Sequence, residues 1–237
     1  MTASPEGPRL VRDLLHTAAQ RLQSVHAADG IDDARLQVEL LYGLATGLDR
    51  VHVIAAGGDT APPNAVEAFD ALLQRRLQHE PLAYILGKRE FFGLTFDVGP
   101  GCLVPRPETE TLVEAALEAI KAHPSARRLV RVADIGTGSG AIALSVAQHA
   151  PNAKVFAVDV STEALQWAGK NMRRFGLQDR VVLLAGDLAE PLSDPIDVLL
   201  ANLPYVSTDE FEALPEQIRE REPRIAVEGG SEEIGRA

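Results

Sequence analysis

The chain has 237 residues, 46% of them hydrophobic, and a formal net charge of −11, with a sequence pI near 5.0. That length suits one large domain, or a domain with a smaller companion, around a sizeable core, and the acidic balance works against broad, non-specific nucleic-acid binding, which depends on a basic face that neutralises phosphates. No run reaches the length of a membrane span, and the start Met1-Thr-Ala-Ser-Pro-Glu6 has neither the basic nor the apolar region of a signal peptide, so a cytoplasmic protein is expected.

From Arg9 to His26 the residues Leu10, Val11, Leu14, Leu15, Ala18, Leu22 and Val25 recur at helical spacing and predict an amphipathic helix. Asp29-Gly30 breaks it, and Leu36, Leu40, Leu41, Leu44 and Leu48 mark a second helix ending near Gly47. Pro62-Pro63 closes a loop, after which Asn64, with Glu67 three places on, reads as a capping box opening a third helix with Val66, Phe69, Leu72, Leu73 and Leu77. Residues 1–86 are therefore expected to form a helical bundle without a chemistry-bearing motif, with Arg75-Arg76 on its solvated face.

Pro81 to Gly87 reads as a connecting segment, and Phe91 to Val98 as a hairpin around Gly93, within a linker spanning residues 87–106. Next comes Leu103-Val-Pro-Arg-Pro-Glu-Thr-Glu110. Pro107 suits a first helical turn and Glu108 and Glu110 complement its dipole, so a helix should run through Leu112, Val113, Ala116, Leu117 and Ile120. The segment reads equally as a well-capped helix start and as a lid over a ligand.

From Arg131 onward strands and helices alternate: a strand to Asp134, a helix to about Ala150, a strand from Val155 to Asp159, a helix through Trp167 and Met172, then strands at Val181–Leu184 and Ile196–Ala201. Such alternation predicts an α/β fold with a parallel sheet wound on both faces and a ligand across the carboxyl ends of its strands. Asp134-Ile-Gly-Thr-Gly-Ser-Gly140 supplies the loop after the first of these strands. Glycines at 136, 138 and 140 let a ligand approach backbone N–H groups at the positive end of a helix.

Two cofactor classes compete for this loop. Gly136-x-Gly138-x-x-Ala141 satisfies the dinucleotide fingerprint, with Asp159 placed to hold a ribose hydroxyl. The pattern DxGxGxG, with Asp134 at the strand end, favours S-adenosyl-L-methionine instead, because a carboxylate suits an ammonium and a sulfonium and sits badly beside a pyrophosphate. Asp134, Asp159 and Asp187 each follow a separate apolar strand, so they are expected at one edge of the sheet, meeting the methionine end, the ribose and the adenine amino group; each is also a common turn former. Trp167 reads as packing.

Asn202-Leu203-Pro204-Tyr205 follows the last of these strands. The Asn202 carboxamide oxygen and the Leu203 carbonyl are two neighbouring acceptors, able to grip both N–H groups of an amide or exocyclic amine. Pro204 fixes the backbone and Tyr205 offers a flat face to a planar group. A planar nitrogen is a poor nucleophile, and accepting its hydrogens while aligning it with a sulfonium methyl favours attack. The lone Cys102 reads as a small buried hydrophobe, and the six histidines show no metal-ligand spacing, so no metal is expected.

On GKREFFGLTFDV, LVPRPETE with the following LVE, ADIGTGSGAIALSVA and NLPY, the chain resembles the HemK/PrmC peptide-release-factor glutamine methyltransferases, from the bundle to about Gly230. The resemblance implies a Rossmann-like class I methyltransferase domain over residues 107–237 and an N-terminal bundle that recognises the release factor. It implies cofactor contacts at Asp134, Gly136, Thr137, Gly138, Ser139, Gly140, Asp159, Asp187, Leu188 and Asn202, with the substrate glutamine of a Gly-Gly-Gln motif held by Asn202, Leu203, Pro204 and Tyr205. Three departures stand out: Leu203 where the family usually has proline, Leu188 where relatives carry an aromatic residue, and Glu228-Gly-Gly230, which resembles a segment preceding another helix and the last strands. A shortened chain with the fourth strand near an exposed edge is therefore expected. Two other readings are an adenine amino-methyltransferase and a cofactor-binding protein without turnover.

Overall fold

A computed structural model describes residues 9–124 and 129–230. The chain divides between Leu86 and Gly87 into two compact units. The first contains α1 (Val11–Ser24), α2 (Ile31–Thr46), α3 (Arg50–Ala55), α4 (Pro63–Leu77) and α5 (Leu82–Leu86). Leu14, Leu22, Leu41, Tyr42, Phe69 and Leu73 form its core, where Tyr42 meets Phe69 edge-on at 5.7 Å between ring centroids. Gly47 ends α2 in the left-handed conformation, at φ 75°.

Three expectations for this unit are corrected. Asn64 does not cap α4: Pro63 takes the first helical position, where its fixed φ and missing N–H cost nothing, and Pro62 precedes it with no side-chain cap. The segment after Pro81 is not a bare connection but the short helix α5. Arg76 is not solvated: it is 3% exposed, and donates to Gln37 Oε1 at 2.7 Å, to the Glu80 carbonyl at 3.1 Å and to the Ala27 carbonyl. Only its neighbour Arg75 faces outward, paired with Glu80 at 2.5 Å.

The second unit opens with a hairpin of β1 (Lys88–Phe91) and β2 (Leu94–Asp97). Phe92 and Gly93, at φ 49° and 69°, form its turn. A single 3-10 turn, Pro107–Thr109, leads into α6 (Glu110–Ala122). Then come β3 (Val130–Ile135), α7 (Ala141–His149), β4 (Ala153–Asp159), α8 (Thr162–Arg174), β5 (Val181–Ala185) and β6 (Val198–Ala201). The sheet order is β5-β4-β3-β6, and all three pairings are parallel. The chain thus winds outward from β3 to β5 and returns to the other side of β3, a Rossmann-like arrangement whose order reverses between β3 and β6. A short parallel pair, β7 (Val206–Ser207) and β8 (Glu228–Gly230), follows.

Burial follows pairing. β3 lies between two strands, and Val130, Val132 and Ala133 are fully buried, whereas Leu199 on the edge strand β6 is 59% exposed. Among the described residues no helix is long and apolar enough to cross a membrane.

Candidate functional site

At the carboxyl edge of the sheet, beside the reversal of strand order, lies a cleft of about 370 Å³. Its walls come from the loops after all four strands: Gly136 and Gly138 after β3, Asp159, Val160 and Ser161 at and after β4, Asp187 and Leu188 after β5, and Asn202, Leu203 and Pro204 after β6. Gly101, Cys102, Leu103 and Glu228 also line it. Its charged residues are Asp159, Asp187 and Glu228, and no Lys, Arg or His is among the described residues lining it. Glu228 is held well below the usual carboxylate range, at about 2, by hydrogen bonds from Arg224 and Thr208.

The glycine loop is not the open row of N–H donors that its sequence suggests. Gly136 and Thr137 donate to the Val158 carbonyl, both at 2.9 Å, and Gly140 donates to the Thr137 carbonyl at 2.8 Å. Gly138 donates to Asp159 Oδ2 at 2.8 Å. A pyrophosphate would find neither free donors on these amides nor a counter-charge in the lining, which removes the basis of the dinucleotide reading. A ligand carrying positive charge matches the lining instead. Asp159, which lines the cleft, also accepts the Ser161 N–H at Oδ1, at 2.9 Å, and a carboxylate has further lone pairs able to accept from hydroxyls.

The other acid of the motif behaves differently. Asp134, fully buried, does not line the cleft, contrary to the expectation that it meets the ligand. Its Oδ2 accepts from Thr137 Oγ1 at 2.7 Å and from the Ala143 N–H at 3.1 Å, so it ties the loop to the first turn of α7. Its Oδ1 has no hydrogen-bond partner among the described residues. Burial pushes this carboxyl up to about 6, against the lowering effect of those two hydrogen bonds. Thr137 and Ser139, 5% and 2% exposed, and Gly140 are likewise absent from the lining. The site therefore uses Gly136 and Gly138 at its surface and the rest of the motif beneath it.

A second cleft, of about 410 Å³, adjoins the first. It is lined by Arg106, Glu108, Thr109, Thr111, Leu112, Tyr205 and Val206, and by Leu214 and Ile218 further on. Asn202, Leu203 and Pro204 line both clefts, together with Leu103 and Ala226, so these residues form the wall where the two meet. The ladder with β3 ends at Ile135–Ala201, one residue before this wall. The Leu203 carbonyl accepts no backbone hydrogen bond among the described residues, and Asn202 Nδ2 donates to Thr109 Oγ1 at 3.3 Å. Both acceptors of the pair are thus outside the sheet bonding. Tyr205, 72% exposed, lines the second cleft and not the first.

The segment before α6 is more than a helix start, since each residue of Pro107–Glu110 is engaged. Pro107 opens the 3-10 turn, the Glu108 carbonyl accepts from Thr111 Oγ1 at 2.8 Å, Thr109 meets Asn202, and Glu110 Oε1 accepts the Phe92 N–H at 2.9 Å. Upstream, Trp167 donates from Nε1 to the Pro100 carbonyl at 3.0 Å. It lies so close over Gly99 that a Cβ there would come within 2.4 Å of the ring. Cys102 is 1% exposed, and burial pushes its thiol up to about 11, so it stays neutral.

Sequence reasoning missed Glu222. Its side chain is 2% exposed and pairs with Arg106 at 2.5 Å, while its other oxygen accepts the Val104 N–H at 3.2 Å. Within the charged run Glu220-Arg-Glu-Pro-Arg224 nothing local separates it from a surface acid; only Pro223, which fixes the next residue, hints at an ordered turn.

Family models match stretches in both units. Residues 13–87 match the PrmC N-terminal domain, and residues 111–231 match the methyltransferase small domain. The release factor glutamine methyltransferase of Moorella thermoacetica is 42% identical over 221 residues, covering 93% of this chain and 75% of that protein. The protein of the same name from Geobacter sulfurreducens is 43% identical over 207 residues, 87% of this chain and 70% of its own length. That of Bradyrhizobium diazoefficiens is 38% identical over 216 residues, 91% and 71% of the two chains. With relatives of this identity spanning bundle, glycine loop and NLPY wall alike, the chain belongs to the release factor glutamine methyltransferase family.

Proposed function

We propose that this protein transfers a methyl group from S-adenosylmethionine to the side-chain amide nitrogen of a glutamine in a peptide chain release factor. The observation that carries the reading is the shared wall: Asn202, Leu203 and Pro204 line an acid-bearing cleft on one side and a second cleft on the other. A methyl donor in one cleft and an acceptor nitrogen in the other can be brought into contact where the clefts join at these shared residues, which is what an in-line transfer needs.

The first cleft fits the cofactor. Asp159 would accept the ribose hydroxyls, Asp187 would take the adenine amino group, Leu188 would cover the ring, and Gly136 and Gly138 would leave room for the chain between. When bound, S-adenosylmethionine supplies an electrophilic methyl on a sulfonium. In the second cleft Asn202 Oδ1 and the Leu203 carbonyl would accept the two hydrogens of the glutamine amide, raising electron density on its nitrogen and holding it in line. Tyr205 and the apolar side chains of Leu112, Leu214 and Ile218 would take the flanking peptide and exclude water. As the carbon–nitrogen bond formed, the methyl–sulfur bond would break, its electron pair staying on sulfur as the thioether S-adenosylhomocysteine, and one amide hydrogen would leave the nitrogen as a proton, released to solvent. Since the acceptor contact at position 203 is a backbone carbonyl, leucine there is compatible with the chemistry.

The net charge of −11 favours a protein substrate over a nucleic acid. A release factor substrate places the reaction in the cytoplasm, and the N-terminal unit is the candidate for recognising its body. Purified protein, labelled cofactor and recombinant release factor test the reading. Label on the glutamine of the Gly-Gly-Gln peptide is expected. Label on adenine in DNA instead, or cofactor binding by calorimetry with no methylation of any release factor, would overturn it.

A further inference from the structure

Thr109 occupies the N-cap position of α6, where a threonine ordinarily accepts an N–H from the first turn of its own helix. Here it makes no cap hydrogen bond, because its φ of −71° and ψ of −14° are helical rather than extended. The hydroxyl is turned instead to Asn202, 93 residues away in sequence, where Oγ1 lies 3.3 Å from Nδ2. Thr109 continues the helical path from the Pro107–Thr109 turn into α6, so its hydroxyl takes no part in capping and makes its contact where the two clefts meet.

The turn that carries Thr109 is held on both sides. Thr111 Oγ1 donates to the Glu108 carbonyl at 2.8 Å, and the Phe92 N–H donates to Glu110 at 2.9 Å. Thr109 therefore has little freedom to follow a moving partner. A terminal carboxamide does have that freedom: it rotates broadly about its last torsion, and a half-turn exchanges its acceptor for its donors. If Nδ2 faced the second cleft, it would oppose the N–H groups of an amide substrate with N–H groups of its own.

We propose that Thr109 is a positioning residue that sets the Asn202 carboxamide for catalysis. The Thr109 oxygen takes Nδ2–H, and this leaves Oδ1 as the atom presented to the substrate nitrogen. The contact chain runs from substrate N–H to Oδ1 and from Nδ2–H to Oγ1, so binding of an amide strengthens the second link. This rests on the reading of Asn202 as an acceptor for substrate. It explains why the PRPETE and NLPY segments belong to one site: the first orients a side chain of the second.

The test uses the full chain with Thr109→Val, which keeps shape and removes the hydroxyl, Thr109→Ser, which keeps the hydroxyl, Asn202→Ala, and the Thr109→Val/Asn202→Ala double variant. Methyl transfer to recombinant release factor and cofactor affinity by calorimetry are measured on each, and the 15N spectrum of the Asn202 side chain on the unmodified chain and the two Thr109 single variants. The valine variant should lose roughly tenfold in kcat, the worth of one hydrogen bond, with cofactor affinity unchanged. Serine should restore the rate, and in the double variant the valine change should add nothing to the loss from Asn202→Ala. A valine variant as fast as the unmodified chain, a serine variant as slow as valine, or additive losses would overturn the proposal. If Asn202→Ala keeps its rate, or the unmodified chain methylates no release factor, the parent reading fails and the spectrum decides this one. An Asn202 carboxamide whose signal sharpness and hydrogen exchange are the same with valine as with threonine overturns it, and one that broadens only with valine sustains it.

Discussion

The guanidinium of Arg106 meets the buried carboxylate of Glu222 at 2.5 Å, joining residues 116 positions apart in sequence. The two partners are not equivalent, since Arg106 keeps 36% of its side-chain exposure and Glu222 only 2%. Removing the arginine strands a buried charge, whereas neutralising the acid leaves an arginine that water can reach. Arg106→Ala should therefore cost about 3 kcal/mol in urea unfolding, and Glu222→Gln, which still accepts the Val104 N–H, about 1 kcal/mol. Equal losses for the two variants would contradict this account. Both changes loosen residues that line the second cleft, so KM for the release factor should rise in each.

How much of this was legible in the sequence depends on how local each feature is. The placing of Gly136, Gly138, Asp159 and Asn202 to Tyr205 at or just beyond strand ends is readable because strand, turn and helix signals lie within a few residues of them, whereas nothing local shows that Thr137, Ser139 and Gly140 lie beneath the cleft rather than in its lining. The helices α3 and α5, of 6 and 5 residues, are too short to show a period. Arg76 read as solvated because its partners Gln37 and Ala27 lie 39 and 49 residues away. Asp134 read as a ligand contact because a strand-ending acid usually faces the sheet edge; the Thr137 hydroxyl and the Ala143 N–H draw it inward instead. Glu222 and Thr109 act through pairings across about a hundred residues, which no spacing rule within one segment can reveal.

Asp134 gives the fold a specific pH dependence. Its carboxyl is raised from 3.8 to about 6, chiefly by burial, so the folded chain holds that proton more tightly than the unfolded one. Between those two values the folded state binds the extra proton, and the contribution to stability falls as pH rises through the window. It is greatest below about 4 and gone above about 6. A shift of this size corresponds to about 3 kcal/mol. Asp134→Asn removes the term, and any hydrogen bond it loses to Thr137 or Ala143 enters as an offset independent of pH. The stability of the unmodified chain relative to Asp134→Asn should thus improve by that order between pH 7 and pH 4 in urea titrations. Parallel pH profiles would rule the effect out.

Two glycines of the same loop should respond in opposite ways to one added methyl. Gly140 sits at φ 82°, and a Cβ there would lie 2.9 Å from Leu144 and 3.3 Å from Ala168, inside the packing of α7 and α8. Gly138 sits at φ 57° with nothing within 4 Å of the added carbon, because it borders the first cleft. Both substitutions pay the left-handed backbone penalty of about 1–2 kcal/mol, but Gly140→Ala adds overpacking of about 1–3 kcal/mol. Gly140→Ala should therefore unfold at clearly lower urea, while any of it that remains folded binds S-adenosylmethionine nearly as well as before. Gly138→Ala should stay the more stable of the two and lose roughly tenfold or more in cofactor affinity by calorimetry, since its methyl occupies space that the ligand needs. Normal cofactor affinity in Gly138→Ala would mean that the ligand does not pass over this loop, and the cofactor would then have to lie elsewhere along the sheet edge.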